Sequence, residues 1–242
     1  MRAPRGLLID LDDTLYAYAP RHERALAALT ARAVALRVVD EPTAFHAAYG
    51  AARVAVKARL GGTAASHHRL LYVQGALERL VGHPAPAQAL ALYDAYWDAY
   101  LEGLEADPGA HEALLAFRAA GILLAFVTNL TTHIQLRKLE RLGLGALAAQ
   151  LVTSEEVGRE KPAPAVFELA LGKLGLTPSA DVWVVGDSVS ADVAGARQLG
   201  LRAVWFRRGP QVAPGEHGGA SRPDAVVTDW AALRALALGG LP

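Results

Sequence analysis

The chain has no cysteine, no excess of charge and no long apolar run, and each absence removes a class of protein. Without cysteine there is no disulfide scaffold and no thiolate chemistry. Lys plus Arg is 24 and Asp plus Glu is 24, so the electrostatic case for a nucleic-acid or membrane-surface partner is missing. No stretch approaches the roughly 18 consecutive apolar residues of a membrane span. The first apolar run, Leu7-Leu8-Ile9, is too short for a signal peptide, and a cytoplasmic location is expected. The eight histidines show no paired metal-ligand spacing. What remains is a chain of 242 residues, 52% hydrophobic, enough for one ordinary domain or a core with a modest insertion.

The pattern along the chain divides in two. Gly6 to Leu11 reads as a buried strand that stops in acids. From there to about Glu105 every periodic stretch is helical: Arg21 to Val38, Pro42 to Leu60, His67 to Val81 and Pro86 to Leu104. After Asp107-Pro108-Gly109 helices alternate with short apolar strands at Ile122 to Val127, Leu151 to Thr153, Val182 to Val185, Ala203 to Phe206 and Ala225 to Val227. The last crossover helix is expected over Ala191 to Leu199, and Pro210 to Pro223 reads as a surface loop. Alternation of this kind predicts an α/β fold, a doubly wound parallel sheet, with a small all-helical domain inserted. The expected division is a core of residues 1–15 and 107–242 and an inserted domain of residues 16–106.

Ligands of open parallel sheets bind beyond the carboxyl ends of the strands. Those ends carry Asp10, Asp12, Asp13 and Thr14, then Thr128 and Asn129, then Glu160 and Lys161, then Asp187, Ser188 and Asp192. Carboxylates gathered at one edge repel and call for a proton or a cation. Mg²⁺ takes carboxylate oxygens, waters and substrate phosphate. Asp10 and Asp187 can supply carboxylates, and a backbone carbonyl near Asp12 can join them. Lys161 offers a fixed positive charge and Thr128 a hydroxyl donor for phosphate oxygens.

Asp10-Leu11-Asp12-Asp13-Thr14-Leu15, Thr128-Asn129, Lys161-Pro162 and Gly186-Asp187-Ser188 through Asp192 resemble, in order, the four motifs of the haloacid dehalogenase-like hydrolases. Leu136 to Leu144, Thr153 to Gly158 and Gly195-Ala196-Arg197 are similar to the branch, subfamily I, with a helical cap after the first motif. The resemblance implies a Rossmann-like core and a Mg²⁺-dependent phosphatase acting on a small phosphorylated metabolite. Asp10 would be the nucleophile and form an aspartyl-phosphate. Asp12 would be the general acid and base. Asp10, the Asp12 carbonyl and Asp187 would hold the metal; Thr128, Asn129 and Lys161 would hold phosphate. Asp192 and Ser188 would act from behind. A haloacid dehalogenase and a phosphomutase of the same superfamily are the alternatives. Halide leaves without a proton, so Asp12 and Asp187 argue against the first. A non-catalytic scaffold would have lost one of these residues. The resemblance departs at Leu130, where the family often has glycine.

Tyr93, Tyr96, Trp97 and Tyr100 share one helix face, as cap packing or as an aromatic wall over a substrate. His67-His68 and the row Arg53, Lys57 and Arg59 read as solvated. Monomer and homodimer are both open.

Overall fold

The computed structural model describes residues 3–147, 149–209 and 222–239. Most of the expected loop, residues 210–221, lies outside them. The chain forms two compact units, Met1–Ala17 with Glu105–Pro242, and Tyr18–Leu104.

The first unit is built on β1 (Gly6–Ile9), β2 (Leu123–Thr128), β3 (Gln150–Thr153), β4 (Val182–Gly186), β5 (Arg202–Phe206) and β6 (Ala225–Val227). These form one sheet in the order β3-β2-β1-β4-β5-β6, every pair parallel. Its strands are short, and β1 and β4 are buried at every position. That is what helices on both faces of a parallel sheet require.

The helices of this unit are α5 (Ala110–Ala119), α6 (Thr132–Arg141), the single turn α7 (Ser154–Val157), α8 (Pro164–Leu174), α9 (Ala194–Gln198) and α10 (Trp230–Leu238); α1 to α4 belong to the second unit. On one face Leu8, Ala125, Val184 and Ala203 pack under Val166, Phe167 and Ala170 of α8 and Ala196 of α9. Each such side chain contributes about 1.5–3 kcal/mol when fully buried, alanine less. A Cβ at Gly195 would meet the Phe167 ring at 2.2 Å, so α9 approaches α8 only because position 195 is bare.

The expected helix over 191–199 differs from what forms. A π-helical turn, Val189–Val193, comes first, and α9 continues it only to Gln198. The turn wraps the Asp192 carboxylate back onto the Ser188 amide at 3.1 Å. A side-chain bond thus sets the winding where sequence periodicity shows only a helix.

The second unit, taken by itself, is helical throughout its described residues. It comprises α1 (Tyr18–Ala35), α2 (Pro42–Leu60), a 3-10 turn (Ala64–His67), α3 (Arg69–Val81) and α4 (Pro86–Leu101). Pro20 lies in the first turn of α1, where no backbone donor is needed. That lets α1 start three residues before the expected Arg21. It stops at Ala35 instead of Val38 because Arg37 takes φ 55°. Tyr96, Trp97 and Tyr100 are fully buried. Tyr93 is half-buried and stacks on His68, so the pair His67-His68 is not solvated as expected but half-buried.

Candidate active site

The sheet order reverses between β1 and β4, the strands that lie side by side with Ile9 level with Val185. Crevices form at such a reversal because the two connections leave in opposite directions. Asp10 follows β1 and Asp187 follows β4, so both reach this crevice. The Asp10 amide donates to Val185 O at 2.9 Å, fixing the backbone there. Thr128 ends β2, the other neighbour of β1.

Lys161 arrives from the loop before α8 and is almost fully buried. Its Nζ donates to Asp10 Oδ1 at 2.5 Å, Asp192 Oδ1 at 2.7 Å and the Val127 carbonyl at 2.9 Å. The Lys161-Pro162 peptide is cis. Asp192 could approach only because Gly186 has no side chain: a Cβ there would meet the Asp192 carboxyl carbon at 2.2 Å.

Asp10, Asp187 and Asp192 each present an oxygen within 4.8 Å of the others. Three carboxylates thus face one ammonium. Burial pushes the Asp10 carboxyl up to about 7; Lys161 pulls against this and Asp192 and Asp12 add to it. Burial, then Asp10, Asp192 and Asp13, push Asp187 up to about 8. Burial works against the charge of Lys161, but Asp10 and Asp192 outweigh it and hold the ammonium protonated. The fully ionised cluster keeps two uncompensated negative charges. A divalent cation with oxygen ligands fits that donor set.

Asp12 faces elsewhere. Its carboxylate accepts from Lys138 Nζ at 2.7 and 2.8 Å and from the Tyr16 hydroxyl. It therefore pairs with a different lysine from Asp10, while its charge still adds to the rise at Asp10. Lys138 is 1% exposed, on the same face of α6 as Ile134, Gln135 and Leu139. Sequence reasoning passed over Lys138, Gln135 and Tyr16. The signal was two polar residues at i and i+3 on the face of α6 that carries its apolar residues. Arg208 was also missed: it pairs with Asp107 and donates to the Asp13 carbonyl at 3.1 Å, bracing the turn after Asp10. In that turn Asp13 adopts φ 59°, a conformation aspartate tolerates.

Gln135 orders the Thr128 hydroxyl. Its Nε2 donates to the Asn129 carbonyl at 3.1 Å and to Thr128 Oγ1 at 2.7 Å. Only the amide NH₂ can face a carbonyl, so Thr128 Oγ1 is the acceptor there, and its own hydrogen donates at 3.4 Å to the Asn129 carbonyl. Asn129 Oδ1 accepts from the Lys161 amide at 2.9 Å, tying two loops together. Ser188 Oγ accepts from the Ala191 amide at 3.2 Å and caps the π turn. Leu130, where glycine is expected, takes φ 135° and is buried. Its amide donates to Ser154 Oγ at 3.0 Å. Such backbone in a non-glycine residue costs on the order of 1–3 kcal/mol, here offset by burying the leucine.

Acids and a buried lysine converging at the reversal of an open parallel sheet mark a cation- and anion-binding crevice in a protein of the doubly wound α/β class. A family model described as haloacid dehalogenase-like hydrolase matches residues 4–200, and the chain belongs to that family. It is 48% identical over 201 residues to a ribulose-1,5-bisphosphate 5-phosphatase of Halopiger xanaduensis, covering 83% of this chain and 84% of that one. It is 32% identical over 205 residues to a glyceraldehyde 3-phosphate phosphatase of Methanopyrus kandleri, covering 85% and 84%. Among solved structures it resembles the HAD-hydrolase YfnB of Bacillus subtilis bound to magnesium, with TM-score 0.70 and 21% identity over 98% of this chain and 99% of that one.

Proposed function

We propose that this chain is a Mg²⁺-dependent phosphatase whose preferred substrate is a phosphorylated sugar of the ribulose-1,5-bisphosphate type. It is a phosphoric monoester hydrolase of small phosphorylated metabolites. The observation that carries the mechanism is the separation of two carboxylates: Asp10 in the acid cluster with Lys161, Asp12 outside it on Lys138.

Asp10 attacks phosphorus, and the leaving oxygen takes a proton from the Asp12 carboxyl. The product is an aspartyl-phosphate and a free alcohol. In the second half a water attacks the same phosphorus, Asp12 takes its proton back, and Asp10 is released with inorganic phosphate. Lys138 and Tyr16 hold Asp12 in place through both halves. Lys161 and the Thr128 hydroxyl hold phosphate oxygens, with the Asn129 loop beside them. Asp10, the Asp12 carbonyl and Asp187 would hold Mg²⁺, which when bound neutralises charge on the transferring group. Asp192 positions Lys161, and Ser188 positions the turn that carries Asp192.

Residues 1–15 and 107–242, with Tyr16 beside Asp12, carry the chemistry in this reading, and the rest of residues 16–106 act as a cap that selects substrate. A phosphorylated sugar goes with a cytoplasmic location, and a chain without cysteine suits it. Among the described residues no helix is long and apolar enough to cross a membrane.

The 48% identity favours ribulose-1,5-bisphosphate over glyceraldehyde 3-phosphate. The test is kcat/KM with Mg²⁺ on ribulose-1,5-bisphosphate, ribulose 5-phosphate, glyceraldehyde 3-phosphate, phosphoglycolate and 2-chloropropionate. The expected result is phosphate release, highest from the bisphosphate and abolished by EDTA. Chloride release from 2-chloropropionate, or full activity after metal removal, would overturn the reading.

A further inference from the structure

Lys161 steadies two of the three carboxylates in the acid cluster and leaves the third to the backbone. Its Nζ donates to Asp10 and Asp192. Among the described residues no lysine or arginine pairs with Asp187. Asp10, Asp192 and Asp13 repel its carboxylate, and Lys161 attracts it more weakly than any of them repels. Unopposed, that repulsion turns Asp187 away from the oxygens it must join to hold a cation.

The opposition comes from β5. The parallel ladder ends where Gly186 lies level with Trp205. One residue on, the Trp205 indole Nε1 donates to the Asp187 carbonyl at 2.8 Å. The amide of the same peptide unit, that of Ser188, donates to Asp192 Oδ2 at 3.1 Å. A peptide unit is planar, so two bonds at its opposite edges fix the Cα from which the Asp187 carboxylate extends. The indole cannot follow a moving loop. Trp205 is 2% exposed and shares a buried cluster with Phe167, Val193 and Ala196, against which Val189 packs. Val189 and Val193 begin and end the π turn that carries Asp192. Burying an indole does not by itself bring such a bond: Trp230 is 1% exposed, and its Nε1 has no partner among the described residues.

We propose that Trp205 is a positioning residue of the metal centre: by holding the Asp187 peptide unit it sets the Asp187 carboxylate where Mg²⁺, and not the larger Ca²⁺, needs it. The inference rests on the Mg²⁺ reading above. Mg²⁺ demands near-ideal octahedral geometry at short distances, whereas Ca²⁺ accepts longer distances and irregular shells. A loosened Asp187 therefore weakens Mg²⁺ binding far more than Ca²⁺ binding.

The test is calorimetric titration of Mg²⁺ and of Ca²⁺, each into the metal-free full chain with no substrate present. In Trp205→Phe the Kd for Mg²⁺ should rise about tenfold, and that for Ca²⁺ by no more than about threefold. In Trp230→Phe, which removes an indole N–H without a partner, both should stay within about twofold. A role confined to packing would lower stability in urea but leave the ratio of the two affinities unchanged. Trp205→benzothienylalanine keeps the shape of the indole and lacks its N–H, so it gives the same reading where the smaller phenylalanine ring fails to support the fold. Unchanged Mg²⁺ affinity in both Trp205 variants, or equal losses for Mg²⁺ and Ca²⁺, would overturn the inference and leave the metal reading standing. A wild type that binds no Mg²⁺ would overturn the metal reading and this inference with it.

Discussion

Among the described residues each unit of this protein buries a charged cluster, and the two are opposites. In the α/β unit three carboxylates surround one ammonium, contributed by Asp10, Asp187, Asp192 and Lys161. In the helical unit one guanidinium, that of Arg69, is surrounded by neutral hydroxyls and rings. Neither cluster is neutral as it stands. The first has an excess of negative charge and suits a cation; the second has a single positive charge held by hydroxyls, a carbonyl and ring faces. Buried charge balanced within the protein is a packing device, whereas the unbalanced charge of the acid cluster points to something that binds.

The opposition has a pH signature, and it carries the largest expected effect on stability. Asp10 and Asp187 have folded-state pKa values near 7 and 8 against an ordinary 3.8. Folding therefore takes up protons between those values, so the metal-free protein loses stability as pH rises from about 4 to about 8. The sign is reversed for His22, pulled from 6.5 to about 4 by burial, Arg69 and Arg53. Its contribution grows as pH rises through that window. Urea denaturation across this range with EDTA should show the net fall, by several kcal/mol, and saturating Mg²⁺ should remove it. A metal-free stability that climbs steadily to pH 8 would break the contrast.

Truncating the two cations separates the clusters next. Lys161→Met leaves three carboxylates together and should cost about 3–5 kcal/mol in metal-free protein. Arg69→Met removes hydrogen bonds and ring contacts but strands no charge, so its cost should be smaller, about 1–3 kcal/mol. Equal losses in urea denaturation would mean that Arg69 has a counter-charge after all.

The smallest effect concerns Asp12, the acid outside the cluster. Lys138→Met frees its carboxylate from a fixed position. Steady-state kinetics should show kcat down about 10–10²-fold with KM nearly unchanged. Lys138→Arg should restore part of it. A rise in KM alone would assign Lys138 to substrate binding.

The acid cluster was legible in the sequence because Asp10 and Asp187 directly follow strands, and Lys161 and Asp192 lie in the connections beyond strand ends, which are local features. Asp10, Asp187 and Lys161 could be placed at one sheet edge without knowing a single distance. The helical partners could not. Lys138 meets Asp12 across 126 positions, and on a helix a lysine reads as solvent-facing until its neighbours Ile134 and Leu139 are seen to be buried. Arg69 was hidden for the same reason: Arg53, Lys57 and Arg59 looked like the basic row of the helical unit, yet the buried cation is the one they do not include. Helix ends moved where tertiary contacts decide them, as at the π turn under Asp192.

The central claim is that Asp10 becomes phosphorylated in each turnover. Full-length protein with Mg²⁺ and ribulose-1,5-bisphosphate, quenched in acid within the first turnover and digested, tests it by mass spectrometry of the peptide containing Asp10. The account predicts one added phosphoryl group on Asp10, lost with time, and neither adduct nor turnover in Asp10→Asn. Sustained turnover by Asp10→Asn, or a phosphoryl group on another residue, would contradict it.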